Sequence, residues 1–233
     1  MTFTDTTWQR TADLRAAIEE SQFLAELGDG TLDPATFRHY LEQDALYLAG
    51  YARALSLLAA RAPGADSAGF WSSSAHGAAV VESALHADLL DSGLLPPATG
   101  TPQASPTTLG YVSYLVAAAA TAPYPVAAAA VLPCFWIYAD AGRRLAARAD
   151  LVAAEGPGHP YARWVATYDA PGFHASVATA RRLVDEAAAE HTEAVQEAMH
   201  EAFAVATRYE WLFWETAHRR ETWPSTGGLV AVG

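Results

Sequence analysis

Residues 33 to 61 read DPATFRHYLEQDALYLAGYARALSLLAAR. An aspartate followed by a proline is a helix start: the carboxylate caps free backbone N–H groups, and the proline ring fits the first turn. Ala-Pro-Gly at 62 to 64 stops the run. The spacing therefore predicts a helix from Pro34 to about Arg61. Within it Tyr40, Asp44, Tyr47 and Tyr51 stand at i, i+4, i+7 and i+11 and share one face. A carboxylate among phenols on a helix face has to meet water or a polar partner. It is either an amphipathic boundary with a solvated Asp44 or the wall of a polar site.

The same period runs outward in both directions, and no convincing strand pattern interrupts it. A second helix is expected from about Asp66 to Ser92, then a Pro/Gly/Thr-rich loop from Gly93 to Thr101. Ser105-Pro106 repeats the cap-plus-proline start for a helix ending near Pro123. The next runs from about Pro125 to Ala154, with Pro133 expected to kink it by removing one backbone hydrogen bond. After the turn Gly156-Pro157-Gly158, short helix Pro160 to Tyr168 precedes helices at Phe173 to Ala189 and Thr192 to Arg220. The reading is one all-α domain of about eight helices over residues 1–223, followed by a flexible tail, 224–233.

The chain of 233 residues carries a formal net charge of −12 and no basic cluster beyond short pairs such as Arg143-Arg144. Nucleic acid, whose phosphates need a basic surface, is not an expected partner. The uncharged stretch Gly93 to Ala139 holds prolines, glycines and polar residues, which makes a poor membrane span. The start MTFTDTTWQR lacks the basic-then-apolar pattern of a signal peptide. A lone cysteine fits a reducing compartment, so a cytoplasmic location is expected.

That cysteine, Cys134, follows Pro133 and shares a helix face with Tyr138 at i+4. It reads either as a small core hydrophobe or as a nucleophile awaiting a proton-transfer partner. On the last helix Glu210 sits among Tyr209, Trp211, Phe213 and Trp214. A carboxyl in apolar, aromatic surroundings tends to a raised pKa and can act as a general acid. The alternative is a glutamate reaching the surface or paired with an arginine. Glu197/His200 and Glu215/His218 have the Glu-x-x-His spacing of di-iron bundles, and Glu82/His86 adds an i, i+4 pair. The two Glu-x-x-His pairs lie 18 residues apart on one helix. That is roughly 27 Å at 1.5 Å per residue, too far to share a centre, so no metal site is expected.

Four segments taken together resemble the TenA family, the thiaminase II enzymes of thiamin salvage. They are FRHYLEQDALYLAGYARAL (37–55), LPCFWIYADAG (132–142), YARWVATYDAPGF (161–173) and RYEWLFWETAHRRETWP (208–224). GDGTLDPATF (28–37) also matches the family's entry to its first long helix, so the resemblance covers almost the whole chain. It implies a haem-oxygenase-like helical bundle, a homotetramer, and no cofactor. The implied activity is hydrolysis of 4-amino-5-aminomethyl-2-methylpyrimidine to the hydroxymethylpyrimidine and ammonia, with thiamin a poorer substrate. By the same resemblance Cys134 is the nucleophile, Glu210 handles the proton, and Asp44 hydrogen-bonds the pyrimidine. Tyr47, Tyr111, Tyr138 and Tyr168 form the aromatic lining. Ala45 and Tyr51 depart from the common pattern and bear on pocket shape. The rival readings are a non-catalytic pyrimidine- or partner-binding protein of the same fold, and a haem-oxygenase-like oxidase.

Overall fold

The computed structural model describes residues 1–90, 95–98, 100–155 and 158–224, leaving aside the side chains of 81–83 and 155. Among the described residues there are eleven α-helices and no strand. They are α1 (Phe3–Arg10), α2 (Ala12–Glu19), α3 (Gln22–Gly28), α4 (Pro34–Ala60), α5 (Ala65–His76), α6 (Ser83–Leu90), α7 (Pro106–Thr121), α8 (Tyr124–Glu155), α9 (Ala162–Tyr168), α10 (Pro171–Ala189) and α11 (Glu193–His218). The expected caps are in place. Asp33 Oδ2 accepts from the Thr36 N–H at 3.2 Å, and Ser105 Oγ from the Thr108 N–H at 3.2 Å.

Three short N-terminal helices raise the count above eight. Their junctions at Thr11 and Ser21 carry neither glycine nor proline, so the sequence offers no obvious break there. The helix expected over 66–92 is also divided. A π-helical turn, Gly77–Glu82, separates α5 from α6, and Ser92 lies outside the described residues. So do Gly93, Leu94, Thr99, Gly156, Pro157 and all of the expected tail except Pro224.

Helix α8 is the spine. It packs against α11, α10, α9, α7, α3 and α4, which leaves it little solvent-facing surface along its first half. Ala127 to Leu132 are all at most 1% exposed. A helix surrounded on every side needs small residues, and the alanine run supplies them. Tyr124–Ala154 is long and apolar enough to cross a membrane by length and composition, yet 72% of its most apolar window is buried inside the protein. Pro133 sits within this single helix without ending it. The Tyr51 phenol donates to the Val131 carbonyl at 2.9 Å, close to the proline.

Two glycines set inter-helix distances near the cavity. A Cβ on Gly50 would collide with Val112 Cγ1, so α4 and α7 meet there by close approach. A Cβ on Gly142 would lie 2.8 Å from the Tyr168 carbonyl, so α9 rests directly on α8. On the side of α8 turned away from Cys134 and Tyr138 four flat groups stack. Arg15 lies 3.9 Å over Trp8 and Arg181 lies 3.9 Å over Trp136. The two indoles between them are 4.0 Å apart at 16°. This column ties α1 and α2 to α8 and α10.

Candidate active site

Helices α4, α5, α8, α9 and α10 and the π-helical turn enclose a cavity of about 400 Å³. Asp44, Tyr47 and Tyr51 enter it from α4, Cys134 and Tyr138 from α8, and Tyr168 from the end of α9. The predicted tyrosine-aspartate face of α4 and the cysteine-tyrosine face of α8 therefore meet across one space. Cys134 is half-buried and in no disulfide. Glu210 and Tyr111 are not on the wall; both are at most 1% exposed and belong to the core behind it. Of the two departures noted in the sequence, Tyr51 is on the wall and Ala45 is not.

Asp44 is deeply buried yet braced. Tyr40 Oη donates to Asp44 Oδ2 at 3.3 Å, and the Tyr40 and Tyr138 hydroxyls are 3.2 Å apart. Gln43, the preceding residue, pins α4 to the start of α7. Its Oε1 accepts from the Ser105 N–H at 2.9 Å and from Thr108 Oγ1 at 2.8 Å. Helix α7 in turn carries Tyr111, whose phenol donates to Glu210 Oε1 at 2.6 Å.

Burial pushes the Glu210 carboxyl up to about 8, against the opposing pull of the Tyr111 hydrogen bond. Near neutral pH it is mainly protonated, a buried acid with a proton to give. The phenols of Tyr40, Tyr47, Tyr51, Tyr111 and Tyr138 are all raised well above their usual range by burial, with Glu210 a further cause for each. Cys134 adds to the upward push on Tyr47, Tyr51 and Tyr111, which places the thiol in the same electrostatic neighbourhood as Glu210. The Tyr47 hydroxyl has no partner at hydrogen-bond geometry among the described residues. It does lie close enough to Tyr111 to oppose weakly the rise of that phenol.

The sequence reading did not identify the outer wall. Phe70, Ser73, Ser74 and Gly77 from α5 and its π-helical extension, and Thr167, Phe173 and Ser176 from α9 and α10, complete the cavity. The available signal was the Ser72-Ser73-Ser74 run, small polar residues inside an otherwise helical pattern. A second cavity of about 410 Å³ lies between the N-terminal helices and α8. Its Arg144 and Glu19 are already joined at 2.6 Å, so that wall's charges answer one another rather than a ligand. The Glu-x-x-His pairs are likewise engaged separately. Glu197 pairs with Arg10 at 2.7 Å, His200 bonds Thr7 at 2.7 Å, Glu215 pairs with Arg219 at 2.8 Å and His218 with Glu26 at 3.1 Å. Among the described residues no three His, Cys, Asp or Glu side chains converge as a metal site. The Glu82 side chain lies outside them.

Comparison with known proteins gives a consistent set of likenesses. The family model described as TENA/THI-4/PQQC matches residues 8–221. A protein named aminopyrimidine aminohydrolase from Bacillus subtilis is 35% identical over 205 residues, 86% of this chain and 83% of that one. The thiamine biosynthesis multifunctional protein ThiED of Corynebacterium efficiens is 38% identical over 94% of this chain, which spans only 28% of that longer protein. Among solved structures, a TenA homologue from P. horikoshii OT3 superposes with a TM-score of 0.82 at 23% identity, covering 94% of this chain and all of that one (100%). A domain with a heme oxygenase-like fold from Shewanella denitrificans gives 0.69 at 13% identity, covering 94% and 93%. At such identities the structural likeness establishes the fold.

Proposed function

The chain belongs to the TENA/THI-4/PQQC family, and from that premise we propose that it is an aminopyrimidine aminohydrolase of thiamin metabolism. The substrate class is a 4-aminopyrimidine bearing an aminomethyl arm, with thiamin itself a candidate second substrate. The observation that carries this reading is the meeting of Asp44, Cys134, Tyr138 and Tyr168 on one cavity wall, with the Glu210–Tyr111 pair buried in the core behind it.

Each side chain has a role suited to its setting. The tyrosines form flat, apolar walls for an aromatic ring. Asp44, held by Tyr40, accepts a hydrogen bond from the exocyclic amine and so fixes which edge of the ring faces α4. The Cys134 thiolate adds to the electron-poor ring, forming a C–S bond and placing an electron pair on the ring. The ring's electrons then expel the aminomethyl nitrogen as ammonia; the proton that nitrogen needs comes from Glu210 in the core and reaches the cavity through the hydroxyls of the wall tyrosines. Water adds to the exocyclic carbon, its proton returns by the same route to the Glu210 carboxylate, and the C–S bond breaks to return the thiolate. Two difficult steps at one carbon are thereby separated by a covalent intermediate. Glu210 is suited to this role because burial keeps it protonated near neutral pH.

The test is ammonia release from 4-amino-5-aminomethyl-2-methylpyrimidine by the native protein and by Cys134→Ser. The serine variant is expected to fold and to lose at least about a hundredfold in turnover, on the order of 3 kcal/mol of transition-state stabilisation. Near-native turnover by the variant rules out the nucleophile. Saturable pyrimidine binding with no ammonia from the native protein points instead to a non-catalytic binding role.

A further inference from the structure

His86 lies on α6, just beyond the π-helical turn, a kind of irregularity common beside functional sites. Its imidazole is 1% exposed. Its Nε2 stands 3.3 Å from Asp44 Oδ2, the oxygen to which Tyr40 also donates. Polar groups from two helices thus converge on one carboxylate oxygen. At present neither ring nitrogen of His86 meets a partner at good hydrogen-bond angles among the described residues, although the distance to Asp44 is within reach. A buried, unsatisfied N–H costs on the order of 1–3 kcal/mol, and Asp44 is the acceptor at hand.

We propose that His86 is a positioning residue, which holds the Asp44 carboxylate in the orientation that accepts the pyrimidine amino group. The inference rests on the reading of Asp44 given above. Burial pushes the imidazole down to about 4, so near neutral pH it offers an N–H and no charge. A neutral donor orients Asp44 without cancelling its negative charge. An imidazolium there would form an ion pair and weaken the carboxylate's hold on a ligand amine.

The test is calorimetric affinity for 4-amino-5-hydroxymethyl-2-methylpyrimidine, together with steady-state kinetics on the aminomethyl compound. The variants are His86→Gln, His86→Asn, Asp44→Ala and the double variant His86→Asn/Asp44→Ala, each checked for an unchanged helical spectrum. The glutamine amide nitrogen reaches about where Nε2 stands, whereas the asparagine nitrogen stops short near Nδ1. His86→Asn is expected to weaken binding at least fivefold and to raise KM more than it lowers kcat, and His86→Gln to recover most of that loss. The double variant should bind no more weakly than Asp44→Ala alone, because His86 acts through Asp44. The proposal is overturned if the asparagine variant binds like the native protein, if glutamine is as poor as asparagine, or if the two losses multiply. If Asp44→Ala itself binds normally, the Asp44 reading fails and His86 falls with it. Loss of binding in Asp44→Ala beside an indifferent His86→Asn refutes His86 alone.

Discussion

Replacing Glu210 by glutamine should make the protein more stable while making it a poorer catalyst. In the fold the carboxyl titrates at about 8, against 4.5 for an ordinary glutamate. Its folded pKa is raised, so the folded state holds this proton more tightly than the unfolded chain. The stability linked to that proton is fully present below about pH 4.5 and is lost as pH rises through about 8. At roughly 1.4 kcal/mol per pH decade, the total is roughly 5 kcal/mol. Between pH 5 and pH 7.5 the native protein should lose roughly 3 kcal/mol of it. Glutamine keeps the shape, and its Oε1 can still accept from Tyr111, but it has nothing to ionise. The informative quantity is the stability difference between the two proteins, measured by urea unfolding at both pH values and equal protein concentration. Any fixed effect of exchanging carboxyl for amide cancels in that comparison, as do all other titrating groups. The glutamine variant should gain about 3 kcal/mol on the native protein across this interval, while its turnover falls far more than its pyrimidine affinity. A stability difference that stays constant with pH to within about 1 kcal/mol refutes the argument, because Glu210 is then not a buried acid held neutral by the fold.

Three further substitutions test the site and the frame that holds it. Tyr111→Phe removes the hydrogen bond that holds Glu210 down, so the limb of the pH–rate profile set by Glu210 should move to higher pH; an unmoved or lowered limb counts against Glu210 as the titrating group. Gly142→Ala puts a methyl group 2.8 Å from the Tyr168 carbonyl and should cost about 1–3 kcal/mol and weaken pyrimidine binding. Gly69→Ala, on an exposed α5 position with nothing within 4 Å, should instead stabilise by about 0.5–1 kcal/mol, and thermal melts of the pair check both signs.

Most of the fold follows from local signals. Asp33-Pro34 and Ser105-Pro106 mark their helices because capping and proline geometry act within a single turn. The grouping of Asp44, Tyr47 and Tyr51, and that of Cys134 with Tyr138, follows from helical phase alone. What phase cannot reveal is which faces meet. The contact between His86 and Asp44 joins α6 to α4 and is set by packing, and no spacing rule connects the two residues. The π-helical turn is equally hidden, since GAAVVE at 77–82 has an ordinary helical composition. Tyr40 shares the α4 face with the cavity tyrosines but ends in the core, where it braces Asp44 instead of lining the wall.

The indole column on the other side of α8 also gives the protein an optical signature. Two indoles 4.0 Å apart and nearly parallel couple their electronic transitions. Their near-ultraviolet dichroism is therefore a paired signal that a lone tryptophan lacks. Trp8 belongs to α1, whereas Trp136 stands two residues beyond Cys134 on α8. The signal vanishes when the first helix undocks, even if the rest of the bundle stays helical. It also senses small rotations of the α8 segment that carries the thiol. A pyrimidine titration followed at those wavelengths would report, without any added label, whether filling the cavity is felt on the opposite side of the helix.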